Sequence, residues 1–145
     1  MRIETTTDKQ RIKSILCHPE IYKTIAGDNG IPMNEWEPPL EGCEYLCGYV
    51  KDELIGIMVY HSKDGKLLLH IQVLPEFRKE HARKFGRIAL DYGVAKNVPL
   101  YAEIPDAYPN VLSFTESFGF KKVDKREKVY LKNGEYSDMN ILRYG

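Results

Sequence analysis

The chain contains 145 residues, with 21 lysines and arginines against 21 aspartates and glutamates, 43% hydrophobic residues and 29% charged residues. This length suffices for one domain with its own core, so we expect residues 1–145 to form a single domain. A chain with no net charge is not expected to bind a long stretch of nucleic-acid phosphates. No segment reaches the roughly 18 to 20 apolar residues of a membrane span. The first residues also lack the apolar stretch of a signal peptide. We predict a cytoplasmic protein that binds neither nucleic acid nor membranes.

Hydrophobic periodicity and turn residues divide the chain into elements in the order β-α-α-β-β-β-α-β-α-β-β. Asp8 suits the N-cap of the first helix, Pro19 ends that helix or begins the next, and Asn133-Gly134 is a strong hairpin signal. This order predicts an α/β protein of the mixed α+β kind, with helices on both faces of its sheet. The first predicted strand covers residues 2–6. After the first helix, the predicted elements cover residues 20–26, 45–50, 54–60, 67–73, 79–95, 98–104, 110–118, 121–131 and 139–144.

Turn-forming residues cluster over residues 27–39, between the second helix and the second strand. Such a long loop inside one domain is typical of a binding wall or a lid. It carries the one tryptophan, Trp36, which would line that wall or simply cap the core. The strand over 67–73 is a continuous apolar run, which predicts burial on both faces.

The three cysteines, Cys17, Cys43 and Cys47, leave an odd thiol under any single pairing. Their spacing is neither that of a zinc knuckle nor that of a thioredoxin-type pair. We therefore expect reduced thiols and no metal site.

Basic residues gather where the strand over 67–73 gives way to the next helix. Between Arg78 and Arg87 lie five Lys or Arg residues and one glutamate. Backbone N–H groups and the positive end of the helix dipole converge at a helix start, where cationic side chains are unfavourable unless an anion is bound. This pattern favours a phosphate-binding site, and a solvated helix face is the alternative with the same composition.

The stretch from Val73 to Arg78, of the form Val-x-Pro-x-Phe-Arg and followed by a helix, resembles the coenzyme A motif of the GCN5-related N-acetyltransferase (GNAT) superfamily. A second match ends at Ser117-Phe118-Gly119-Phe120 and is similar to the family's helix that stops at Gly-Phe before the final strands. The resemblance implies the acyl-CoA N-acyltransferase fold, with a central, mostly antiparallel sheet and helices on both faces. It also implies acetyl-CoA as co-substrate. The segment from His18 to Pro39 is similar to small acetyltransferase-like proteins encoded by bacteriophages.

The resemblance also assigns the coenzyme A contacts. They would come from the strand that pairs with the pantetheine arm and from the turn that receives the pyrophosphate, namely Ile71, Val73, Arg78, Lys79, His81, Ala82 and Arg83. The family usually has glycine at two positions of this turn, where this sequence has His81 and Arg83. Their side chains would replace the close backbone approach with charge-assisted hydrogen bonds, or would block the site.

Acetyl transfer to an amine needs a base, a donor to the developing oxyanion and a proton for the leaving thiolate. His70 is a candidate base acting through a water molecule, and a hydrogen-bonded core histidine is the alternative. Glu103 is a second candidate base in a strand that should be buried, unless it pairs with an arginine or a lysine. The family's proton-donating tyrosine aligns with Thr115, so the nearby phenol of Tyr108 is the candidate acid.

These observations predict an acetyl-CoA-dependent N-acetyltransferase acting on a small-molecule or peptide amine. The ligand would enter where the sheet splays after Val73, between that strand and the strand over 98–104. The alternative is a catalytically degenerate protein of a phage head or virion, whose partners would be phage structural proteins.

Overall fold

The computed structural model describes all 145 residues, and its seven strands and four α-helices follow the predicted order. The mixed α+β class is therefore confirmed. The elements are β1 (Arg2–Thr6), α1 (Lys9–Leu16), α2 (Pro19–Ile25), β2 (Cys43–Val50), β3 (Glu53–Lys63), β4 (Lys66–Val73), α3 (Arg78–Val94), β5 (Leu100–Pro105), α4 (Pro109–Glu116), β6 (Phe120–Lys132) and β7 (Glu135–Tyr144).

The strands form one sheet in the order β1-β2-β3-β4-β5-β7-β6, and only the β4–β5 pair is parallel. This parallel pair is short, because only Leu67 with Leu100 and Leu68 with Tyr101 are in register. The predicted splay after Val73 is wrong in position, since the strands separate directly after Leu68. β4 stays paired with β3 and β5 stays paired with β7, so the twist of the two half-sheets carries the strands apart.

Local signals set the ends of several elements. The Asp8 carboxylate caps α1 by accepting hydrogen bonds from the backbone N–H groups of Gln10 and Arg11 at 3.0 and 3.3 Å. The β6–β7 hairpin turns at Asn133 and Gly134, whose φ angles of 53° and 78° are left-handed, as this dipeptide favours.

Two hydrophobic clusters cover the two faces of the sheet. The first joins Phe85 and Leu90 of α3 to strand residues such as Leu69, and α4 packs on the same face. The second joins α1 and α2 to the other face through residues such as Ile12 and Ile21. The sheet is therefore covered on both faces, as the element order predicts.

The expected burial of β4 is correct for residues 67–69 and for Val73, and wrong for residues 70–72 between them. Leu67, Leu68 and Leu69 are buried, whereas His70 is open to solvent and Ile71 is half-buried. The change occurs where β5 leaves β4, because the second half of the strand borders the gap.

None of the four α-helices has the length and the apolar composition that a membrane-spanning helix requires.

Candidate active site

The gap between β4 and β5 opens a cavity of about 710 Å³ that passes through the sheet. On the α3 side it is lined by Arg78, Ala82, Gly86 and Leu90, which recur every four residues on one face of that helix. On the other side its wall includes Trp36. Trp36 also packs on the second core cluster, so the loop residue both caps the core and lines the binding wall.

The backbone of β4 presents unpaired polar groups to this gap. The Leu67 N–H donates to the Pro99 carbonyl at 2.9 Å, so Leu67 directs its peptide groups toward β5. The direction of the backbone N–H and C=O groups alternates along a strand. The backbone groups of Ile71 and Val73 therefore point toward the β5 side as those of Leu67 do, but they lie beyond the last paired position. The Val73 carbonyl accepts a hydrogen bond from Arg78 Nε at 2.9 Å. The Ile71 and Val73 N–H groups have no strand partner and can receive a ligand that adds to the edge of β4.

His70 and Glu103 occupy equivalent places at the apex of the gap, on the face covered by α1 and α2. Each lies two residues beyond a partner of the last β4–β5 pair, Leu68 with Tyr101. The imidazole is exposed to the cavity, whose protein walls partly exclude bulk water from it. This desolvation lowers the pKa of His70 below its ordinary value, and the negative charge of Glu103 opposes the shift. His70 is therefore a neutral imidazole at neutral pH, as a proton acceptor must be.

The Glu103 carboxylate is held in a two-pronged ion pair with Arg126 of β6. Arg126 Nη2 lies 2.8 Å from Oε2, and Nη1 lies 3.5 Å from Oε1. The side chain of Glu103 is 18% exposed and that of Arg126 is 49% exposed, so the arginine approaches from outside the cavity. Of the two roles considered for Glu103, this geometry supplies the structural pairing.

Tyr108 lies at the start of α4 and forms a phenol pair. Its hydroxyl is 2.9 Å from the hydroxyl of Tyr130 and 3.4 Å from the Lys23 carbonyl. Burial raises the pKa of Tyr130, and the hydrogen bond with Tyr108 adds to this effect. Thr115, at the position of the family's tyrosine, bonds back to the Val111 carbonyl at 2.9 Å.

The basic start of α3 is only partly directed into the cavity. Arg78 and Ala82 line it, whereas Lys79, His81 and Arg83 do not. A 3-10 turn over Pro75–Phe77 precedes α3, and the Arg78 N–H already donates to the Pro75 carbonyl. Side-chain cations must therefore supply more of any phosphate contact than the sequence pattern implies.

Arg83 is directed toward α4 instead. Its guanidinium lies 5.4 Å from the centre of the Phe114 ring and 5.2 Å from that of Phe118, and Nη1 donates to Ser117 Oγ at 3.1 Å. Arg87 stacks on the same Phe118 ring at 5.2 Å. These contacts connect α3 to α4 along one side of the cavity.

Sequence reasoning missed three contributors to the site: Arg126, Tyr130 and Phe118. Arg126 and Tyr130 belong to an exposed, highly charged strand whose pattern gives no sign of contacts with the cavity. Phe118 carried a signal, because it lies in the Gly-Phe motif that supports the family resemblance.

A central sheet that splits at one parallel pair, with a cavity through the split, is the acyl-CoA N-acyltransferase fold of the GNAT type. A point mutant of the spermidine N-acetyltransferase SpeG from Vibrio cholerae superposes with a TM-score of 0.79 at 17% identity, covering 99% of this chain and 94% of that chain. The protein smu.2055 from Streptococcus mutans gives 0.77 at 17% identity, covering 99% and 98%.

A chimera of the V. cholerae enzyme and hSSAT gives a TM-score of 0.65 at 20% identity, covering 72% of this chain and 68% of that chain. No protein-family profile matches the sequence, and no curated protein matches it. None of these three neighbours is described as a phage protein, so the expected similarity to bacteriophage proteins stays a prediction.

Proposed function

We propose that the protein transfers the acetyl group of acetyl-CoA to the nitrogen of an amine. The observation that supports this most strongly is the early end of the β4–β5 pairing, which leaves a free strand edge beside a cavity through the sheet. A thioester lying along β4 from the α3 side would meet an amine entering from the α1–α2 side. The spermidine N-acetyltransferase neighbours support the same chemistry.

The residues for holding coenzyme A fit in part. The Ile71 and Val73 N–H groups suit the amide carbonyls of a pantetheine arm, and Ala82 and Gly86 leave room beside them. Arg78 lines the cavity and would contact the phosphates. Among the remaining expected contacts, Lys79, His81 and Arg83 would have to turn toward the ligand, and Arg83 would have to leave its aromatic stack.

The chemistry follows from where the side chains lie. Acetyl-CoA supplies an activated acyl carbon, and the amine nitrogen forms a bond to that carbon as the carbon–sulfur bond breaks. Neutral His70 takes the proton that the amine loses, directly or through water. The Glu103 carboxylate, although it is paired with Arg126, lies close enough to this imidazole to favour its protonated form. A backbone N–H of β4 donates to the developing oxyanion, and Tyr108 is the proposed proton donor to the departing sulfur.

Thermal unfolding with acetyl-CoA tests this proposal. At a hundred times its Kd, the ligand adds about 2.7 kcal/mol to the free energy of unfolding, which is about 5 to 10 °C in Tm for a chain of this size. Arg78→Ala should reduce the shift. Lys84→Ala is the matched control, because Lys84 lies on the same helix outside the cavity. Absence of any shift at millimolar acetyl-CoA would refute the proposal.

A non-catalytic role is the second candidate. It is favoured by the bulky side chains at His81 and Arg83, where the family has glycine. A binding isotherm separates the candidates, because only the transferase requires acetyl-CoA to enter past these side chains. For a structural role, including the phage one, co-purification with assembled particles is the positive observation.

A further inference from the structure

The acceptor side of the cavity has almost no free negative charge. Its two lining carboxylates are Glu41 and Glu103. Glu103 is neutralised by Arg126 at 2.8 Å, whereas Glu41 makes no ion pair and lies exposed at the rim. Only one unpaired carboxylate is therefore available to a cationic ligand, and it is not in the deep part of the site.

The walls of the acceptor side are instead aromatic and apolar. Of the 33 residues that line the whole cavity, 21 are hydrophobic. The Tyr45 hydroxyl donates to the Pro39 carbonyl at 2.6 Å, and the Tyr108 and Tyr130 hydroxyls bond each other. Because these hydroxyls already have partners, the rings offer mainly apolar surface to a ligand. Trp36 adds a fourth ring, held edge-on against Tyr22 at 6.2 Å.

We propose that the acceptor is a small monoamine with an aromatic body, and that the Arg126–Glu103 pair selects against polyamines. This inference rests on the proposed function. The reacting nitrogen would lie near His70, and the ring would pack between Trp36 and Tyr130, which are both partly exposed. An aromatic amine brings no second charge into the site.

A polyamine carries additional positive charges that this site does not neutralise. When one nitrogen of spermidine is neutral and reacting, two ammonium groups remain, and Glu41 is the only unpaired carboxylate. Contact with aromatic ring faces replaces only part of the hydration that a buried ammonium loses, so an ammonium without a carboxylate partner is unfavourable there. The Arg126 guanidinium adds repulsion next to the one carboxylate that lies deeper in the site.

The test compares 2-phenylethylamine with spermidine as acceptors at saturating acetyl-CoA. The wild-type protein should favour 2-phenylethylamine in kcat/KM by at least about tenfold, equivalent to 1.4 kcal/mol. Arg126→Met frees the Glu103 carboxylate for an ammonium group and should move the ratio toward spermidine by about tenfold. Any general effect on catalysis cancels in the ratio. Arg143→Met is the matched control, because Arg143 lies on the same face of the sheet and does not line the cavity.

A wild-type preference for spermidine would overturn the inference, and so would an unchanged ratio in Arg126→Met. If no amine is acetylated, the proposed function fails, and calorimetric binding of the same two amines then decides this inference separately. Tighter binding of 2-phenylethylamine supports it, and tighter binding of spermidine overturns it.

Discussion

Gly86 of α3 offers a direct test of the route along the α3–α4 side of the cavity. A Cβ atom at this position would lie 2.8 Å from Cζ of Phe118, about 0.7 Å short of the roughly 3.5 Å at which carbon atoms pack. The Phe118 ring must therefore shift in Gly86→Ala. Arg83 and Arg87 stack on this ring at 5.2 Å, so we expect it to move into the cavity.

Gly86→Ala has two effects of opposite sign on the free energy of unfolding, and they partly offset each other. Overpacking costs about 1 to 3 kcal/mol, while replacing a mid-helix glycine by alanine gains about 1 kcal/mol. We expect Gly86→Ala to lose about 0 to 2 kcal/mol of unfolding free energy. The displaced ring should weaken acetyl-CoA binding by about tenfold, equivalent to 1.4 kcal/mol.

Urea unfolding and calorimetric titration with acetyl-CoA measure the two effects separately. Gly93→Ala is the control on the same helix, because its Cβ would meet Tyr60 Cε2 at 3.2 Å, away from the cavity lining. It should bind acetyl-CoA like the wild type. If Gly86→Ala also binds like the wild type, acetyl-CoA does not pass beside Phe118 and the assigned route is wrong.

Three further predictions concern the groups around the gap. His70→Gln should lower kcat by about 10²- to 10⁴-fold while acetyl-CoA binding stays within a fewfold, and retained kcat would exclude His70 as the base. The folded-state pKa of His70 lies below its ordinary value of 6.5, so the unfolded chain binds the proton first as pH falls. The free energy of unfolding of the wild type should therefore decrease as the pH falls from 6.5 to the folded-state pKa. The decrease should be smaller in His70→Gln, and an equal dependence of the unfolding free energy on pH in the two proteins would contradict this. Tyr108→Phe should lower kcat by about 10²-fold if its phenol donates the proton, whereas Tyr130→Phe removes only its partner and should cost less; equal losses would argue against a donor role.

Features that depend on a few neighbouring residues could be predicted from the sequence. Residue types at fixed spacing predict the Asp8 cap, the Asn133-Gly134 turn and helix α3. The element order was correct for the same reason. His70, Ile71, Val73 and Arg78 line one cavity because a single strand end and the turn after it carry all four residues.

Features that depend on pairing between distant segments could not be predicted in the same way. The separation of β4 from β5 after Leu68 depends on how far each strand follows its other neighbour, which no local pattern records. The arginine that binds Glu103 lies 23 residues away on a strand whose composition indicates only solvent exposure. The position of Arg83 at the start of a helix predicts a phosphate contact, whereas its actual contacts depend on the packing of α4.

The proposed function requires the free edge of β4 to bind acetyl-CoA, and residue-resolved amide hydrogen exchange detects that contact one residue at a time. The amides of His70 and Gln72 face β3 and serve as internal controls, because they should be protected with or without ligand. The amides of Ile71 and Val73 should exchange rapidly in the free protein and become protected when acetyl-CoA is saturating. Unchanged exchange at Ile71 and Val73 in the presence of saturating acetyl-CoA would show that acetyl-CoA does not bind along this edge.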